Sequence, residues 1–257
     1  MAFNGVVDAP TIAAARFGLL SVAEVVNHAE RDEHWISKVR WRPRVSTFDV
    51  DIVDVCGDLS PEGIVAGVSS EPGEATGFGI DVTDLCTTTF GTSFAEQKTR
   101  IKEITDTVTQ YAAEHQLWSE FDGEGIMDVV GATDVSLKYA LSKIEQAIGG
   151  GSGFTGVIHM SRENATLLIA ENLICQSGAN PGQLETLLGT PVVAGHGYSS
   201  DRIYGSGPIV LHLGPVVVYD GQNISINDII TKAERPAEFV WDASALVAAT
   251  PRTELTS

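Results

Sequence analysis

Across residues 93–121, Ile101, Ile104, Val108, Tyr111, His115 and Trp118 recur at intervals of three and four. That spacing predicts one long helix with a narrow stripe, with Lys98, Lys102, Glu103, Asp106 and Glu114 turned away from it. Ser93 with Glu96 three residues later reads as a capping box, and Asp122-Gly123 as a stop. At about 1.5 Å per residue the helix spans about 40 Å, the dimension of a spine laid across a sheet or a neighbouring subunit. A second helix is predicted over residues 133–148, where Leu137, Leu141, Ile144 and Ile148 share a face between a Thr cap and Gly149. Ser161 caps a third over residues 161–174. Shorter helices are expected at residues 10–17, at 183–188 and at 20–31, the last from the Ser21/Glu24 capping box with Val22, Val25 and Val26.

Elsewhere the period is two or the runs are short and apolar, which predicts strands. Phe48, Val50 and Ile52 alternate with Asp49 and Asp51. Strands are also expected at residues 78–85, 156–160, 191–195, 208–220, 224–233, 237–243 and 245–249, separated by Gly and Pro. Residues 57–92 are rich in Gly, Ser, Thr, Pro and acid. They read as an extended excursion that stands off the body and returns along residues 78–85. Pattern alone therefore gives an α+β chain divided by its long helix, with no internal repeat and no linker between independent domains.

The second notable alternation is charged. Lys38, Arg40, Arg42 and Arg44 alternate with Val39, Trp41 and Pro43, lining cations along one face of an extended segment. Pro43 places that segment at an edge or in an arm. Three readings stay open: a solvated strand, pairing with carboxylates of another copy of the chain, and contact with nucleic acid. The whole chain carries 34 acidic and 16 basic residues, a net charge of −18. That balance argues against a free-standing nucleic-acid binder, which needs Lys and Arg for phosphate. It also makes self-assembly dependent on salt or on specific charge pairing.

Candidate chemistry is sparse. Gly151, Gly153 and Gly156 match the glycine spacing of a dinucleotide fingerprint. The expected order is helix, glycines, strand, the reverse of what that fingerprint requires, so a turn is the better reading. Asp49 and Asp51 lack the remaining oxygen positions of a calcium loop. His28, His34, His115, His159, His196 and His212 show no zinc spacing; His115 is expected to pack in the helix stripe, and His159 and His212 lie on predicted strands, where an approach in space stays open. Cys56, Cys86 and Cys175 are widely separated and read as reduced thiols. No nucleophile elbow or phosphate loop occurs. Hence no catalytic residue, no cofactor site and no metal site is nominated, and neither a membrane span nor a signal peptide is expected.

Several stretches, in order, resemble major capsid proteins of tailed bacteriophages, most of all those of actinobacterial phages. They are residues 34–43 (HWISKVRWRP), residues 77–91 (GFGIDVTDLCTTTFG) and the long helix ending in HQLWSE. Residues 156–173 (GVIHMSRENATLLIAENL) follow, then 184–198 (LETLLGTPVVAGHGY) and 232–249 (KAERPAEFVWDASALVAA). The resemblance implies the Hong Kong 97 phage-type capsid fold. Its parts would be an N-terminal arm (1–30), a strand region with extended loop (31–92), a spine helix and peripheral domain (93–132), an axial domain (133–225) and returning peripheral strands with a tail (226–257). It further implies a non-catalytic subunit that assembles with itself into hexamers or pentamers of an icosahedral head. That head encloses double-stranded DNA without sequence-specific binding and has portal, scaffold or decoration proteins as further partners. Such a protein is made in the host bacterial cytoplasm and ends in the virion. No Lys–Asn–acid cross-linking trio is matched. The alternatives are an encapsulin-like nanocompartment shell, which shares the fold, and a soluble α+β enzyme with a scattered carboxylate site.

Overall fold

The computed structural model describes residues 15–28, 39–41, 73–75, 77–87, 94–124, 126, 128–131, 135–150, 155–223, 228–241 and 245–252. Its strands in chain order are β1 (Glu24–Asn27), β2 (Val39–Trp41), β3 (Gly73–Ala75) and β4 (Phe78–Thr87). After the helices α1 (Phe94–Gly123) and α2 (Leu137–Gly150) come β5 (Val157–Ser161), α3 (Arg162–Ala170), β6 (Ile174–Gln176), β7 (Leu184–Thr186) and β8 (Pro191–Gly195). The chain closes with β9 (Ile203–Ser206), β10 (Val210–Leu213), β11 (Val217–Asn223), β12 (Asp228–Val240) and β13 (Val247–Ala249).

One sheet is built around β12, whose 13 residues span about 40 Å at a strand rise of about 3.3 Å. β4 runs antiparallel along one of its edges, from Phe78 opposite Ala237 to Thr87 opposite Asp228. β10 and β11 share the other edge end to end, pairing with residues 237–240 and 228–234 respectively, and β1 adds parallel to β10. The second sheet has the order β13-β9-β5-β8-β7-β6, with β5 and β8 parallel. A short antiparallel ribbon pairs β2 with β3.

Side-chain alternation divides the interior in two. Ile158, Met160, Val192, Ala194 and Ile203 point to one side of the second sheet and meet Leu137, Leu141, Ile144 and Ile148 of α2 and Leu168 of α3. Val157, Val193 and Tyr204 point to the other side, where they join Leu117, Trp118 and Phe121 of α1 with Leu211, Leu213 and Phe239 of the first sheet. Both faces of the second sheet are therefore covered, which is why β5 reads as a run and not as an alternation. Helix α1, about 45 Å long, bridges the two sheets. Arg235 of β12 donates to Asp106 and Thr109 in its middle, and its C-terminal turns lie on β9.

Several expectations are corrected. Residues 20–28 are not helical: Leu19–Ser21 form one 3-10 turn and β1 follows. Ser21 spends its hydroxyl on the Gly18 carbonyl, and the backbone of Glu24 and His28 bonds to Ile209 and Leu213, so the open edge of β10 outcompetes the capping box. Residues 183–188 form β7 and a turn closed by Gly189 at φ +87°, a conformation that favours glycine. Residues 224–233 and 237–243 are read as separate strands, whereas β12 runs from Asp228 to Val240 straight through Pro236. The helix stripe is rotated: Tyr111 and His115 are exposed, while Thr105, Thr109 and Glu114 are buried. Thr105 and Thr109 tolerate burial because their hydroxyls bond back to the carbonyls of Ile101 and Thr105. The strand at Phe48–Ile52, Cys56 and residues 10–14 of the helix expected at 10–17 lie outside the described residues, and the described residues 15–17 are not helical.

Candidate functional site: the Glu114 junction and the exposed assembly surfaces

Three separate segments meet at one carboxylate. Glu114, on α1, has no exposed surface. Its Oε1 accepts the backbone N–H of Leu19 at 3.0 Å, and its Oε2 accepts those of His196 at 2.7 Å and Gly197 at 3.1 Å. Burying a carboxylate is costly unless it is fully hydrogen-bonded, and three backbone donors supply that. Burial still dominates and raises its pKa above the ordinary value, with the three N–H groups pulling the other way. Both approaching segments fit only as glycine. A Cβ on Gly197 would lie 2.6 Å from the His115 nitrogen, and one on Gly18 would lie 2.4 Å from Glu114 Oε1. The segment 15–21 is held further by Gln110 donating to the Ala15 carbonyl, Arg162 to the Arg16 carbonyl and Ala194 to the Phe17 carbonyl.

Next to this junction the rings interlock. Trp118 stacks on Tyr198 at 4.9 Å between centroids and meets Tyr204 edge-on at 4.7 Å; Phe121 meets His159 and Trp241 edge-on. His159 is fully buried between the Tyr198 hydroxyl at 3.1 Å and Ser206 Oγ at 2.9 Å, and burial pushes its pKa down to about 3. It is a neutral packing residue. The Tyr204 hydroxyl donates to Asp122, which also receives Arg202 at 2.8 Å; burial and that carboxylate push Tyr204 up to about 12. His115, Trp118, Asp122 and Tyr198 border an open groove. Nothing in it pairs a nucleophile with a base, and among the described residues no cluster of His, Cys, Asp and Glu is suited to a metal.

His159 and His212, expected to approach each other, lie in different sheets: His212 pairs with His28. Cys175 is a free thiol on the surface. Of the cationic residues, Arg40 sits on β2 in register with Glu74 of β3; Lys38, Arg42 and Arg44 lie outside the described residues. Sequence reasoning missed the exposed apolar side chains. Leu187 and Leu188, 68% and 81% exposed, form the tip of the β7–β8 hairpin, and Leu167 and Ile169 stand out from α3. The signal for the tip was present as a Leu-Leu pair before Gly189, but it read as a helix face.

No family of related sequences matches the chain, and no curated protein sequence does. Solved structures match it over its whole length. The capsid of an empty GTA particle is 12% identical, with a TM-score of 0.61 over 96% of each chain. The holo-SrpI encapsulin of Synechococcus elongatus PCC 7942 is 8% identical, with a TM-score of 0.62 over 98% of this chain and 94% of that one. The mature capsid of bacteriophage PhiM1 is 11% identical, with a TM-score of 0.54 over 100% and 92%. Such likeness at such identity defines architecture: the chain has the Hong Kong 97 phage-type capsid fold, a mixed helix-and-sheet design.

Proposed function

We propose that this chain is a structural shell subunit, a phage-type major capsid protein that assembles with copies of itself into a closed icosahedral head around double-stranded DNA. The observation that carries the reading is that the likeness to the GTA capsid takes in 96% of both chains, so the shell fold accounts for nearly the whole chain. On this reading the exposed tip Leu187–Leu188 is covered by a neighbouring copy, since adjacent large apolar side chains gain most from burial there. Lys38, Arg40, Arg42 and Arg44 pair with a neighbour's carboxylates, among which Glu103 on α1 and Glu124 just beyond its end are exposed. The role is structural and not catalytic. Portal, scaffold or decoration proteins are the further partners it implies, with synthesis in the host bacterial cytoplasm and the virion as destination.

The nanocompartment reading is the second, favoured by the encapsulin likeness, whose TM-score equals that of the GTA capsid within 0.01. Negative-stain microscopy with light scattering across a salt series tests assembly. Closed particles, rings or capsomer-sized oligomers are expected, and a monomer at every salt and concentration overturns unaided self-assembly and leaves only a subunit that needs a scaffold. The contents of nuclease-treated particles from the native source then separate the readings: protected double-stranded DNA marks a phage head, protein cargo a compartment.

A further inference from the structure

We propose that His28 and His212 form a proton-operated catch that holds β1 on the edge of the first sheet at neutral pH and lets it go in mild acid. The inference does not rest on the shell reading. His28 Nε2 and His212 Nδ1 are 2.8 Å apart, and the two rings stack with centroids 5.1 Å apart. A nitrogen-to-nitrogen hydrogen bond between imidazoles needs a proton on one side and a bare lone pair on the other, so at least one ring must be neutral. With both rings protonated, two N–H groups and two positive charges would face each other across that distance.

What the catch closes is a weak joint. β1 is four residues long, pairs parallel and lies at the end of its sheet, the least stable kind of ladder. Its pairing runs from the Glu24 N–H on the Ile209 carbonyl to the His28 N–H on the Leu213 carbonyl, so the imidazole pair sits where the strand ends. The register sets Val26, His212 and Glu238 side by side. Glu24, His28, His212 and Glu238 therefore share the sheet face turned away from α1. Glu24 on β1 and Glu238 on β12 share this face with the pair, the β2–β3 ribbon that carries Arg40 and Glu74 also packs against β12, and Glu24 favours a proton on His212. Burial and the His28 charge act against it and win, lowering the His212 pKa.

For a base whose folded pKa lies below its free value, the closed form binds the proton less well than the released form. The stabilisation is complete above the free value of about 6.5 and is lost as pH falls through it toward the lower folded value. Release frees residues 24–28, the link between the segment anchored at Glu114 and the cationic stretch beginning at Lys38.

Hydrogen exchange by mass spectrometry on the full chain at pH 7.5 and 5.5, with labelling times scaled for intrinsic exchange, tests this. Protection of residues 24–28 should be lost in part at pH 5.5, while α1 keeps its protection. His28→Gln should shrink the step, since it removes the facing imidazole and leaves the burial of His212 in place. Equal protection at both pH values in the wild type, or an unchanged step in the variant, overturns the proposal. Exchange at the histidine C2–H, also read by mass spectrometry, needs no variant and works in assembled or free chain. His212 should titrate below the ordinary histidine value, and a His212 midpoint at or above that value overturns the catch.

Discussion

Glu114 accepts the backbone N–H of Leu19 at 3.0 Å, joining α1 to a segment 95 residues earlier in the chain. The other oxygen serves His196 and Gly197, so one carboxylate fixes the position of two loops at once. Glu114→Ala would strand three backbone donors, that of Leu19 buried and those of His196 and Gly197 partly buried, each worth up to about 1–3 kcal/mol unpaired, partly offset by removing the buried charge. The net expectation is a loss of about 2–4 kcal/mol, read as a lower urea midpoint with unchanged slope. The pH dependence has a definite sign. Because burial raises the folded pKa above 4.5, the folded state takes up this proton more readily than the unfolded one. The contribution of Glu114 to stability is largest below 4.5 and declines as pH rises through the folded value. Glu114→Gln should flatten that part of the stability curve, and an unchanged curve would mean the carboxylate does not titrate in this window.

His159 should remain neutral from pH 7 down to pH 4. Its pKa of about 3 follows from full burial, with the Tyr198 hydroxyl and Ser206 Oγ as its partners. The unfolded chain protonates near 6.5, so this residue costs stability as pH falls from 6.5 toward 3. Histidine C2–H exchange checks the claim, and a midpoint for His159 above 5 would contradict it. Tyr198→Phe should cost about 1–2 kcal/mol by leaving the ring nitrogen buried without a partner.

A methyl group at Gly205 has nowhere to go. It would lie 2.4 Å from Ile148 Cδ1 and 2.9 Å from Ile144 Cγ2, where α2 rests on β9. Gly205→Ala should destabilise by about 1–3 kcal/mol through overpacking. Pairing it with Ile148→Ala, which removes both Ile148 contacts (Cδ1 at 2.4 Å and Cγ1 at 2.6 Å), should cost less than the two changes summed, a coupling that a double-mutant cycle measures.

What the sequence made legible was local. The long helix, the helix capped by Ser161, the helix carrying Leu137 to Ile148 and the strand at residues 78–85 each state their period within their own residues. Ser161 does accept the N–H of Asn164, as its position implied. What stayed hidden depended on partners far along the chain. A helical wheel turns Glu114 outward, because the donors that repay its burial come from Leu19 and from 196–197. The pair Val25-Val26 reads equally as helix or strand until β10, some 185 positions on, offers its edge. His28 and His212 carry no mutual spacing signal, since only that parallel register brings them together. The cationic stretch was legible as charge, and its proposed partner is a surface of another copy.

That surface is the subject of the last prediction. Leu187 and Leu188 project from a hairpin whose own fold is closed by Thr186, which accepts the N–H groups of Leu188 and Thr190, and by Gly189. Neither leucine is needed for that closure, so Leu187→Asp with Leu188→Asp should leave the melting temperature nearly unchanged, as surface substitutions shift stability by about 0.5 kcal/mol or less. If a neighbouring copy covers the tip, the same pair of changes buries two charges against an apolar contact, and the yield of closed particles should collapse. Arg40, Arg42 and Arg44 replaced by Glu probe the other proposed contact. Helix content should persist while assembly fails, and the failure of this variant should be relieved by salt, because screening weakens like-charge repulsion between exposed groups. The leucine variant should not be rescued by salt, since its defect is desolvation. Normal particles from either variant would remove that segment from the interface, and identical salt responses would show that the two contacts do not differ in kind.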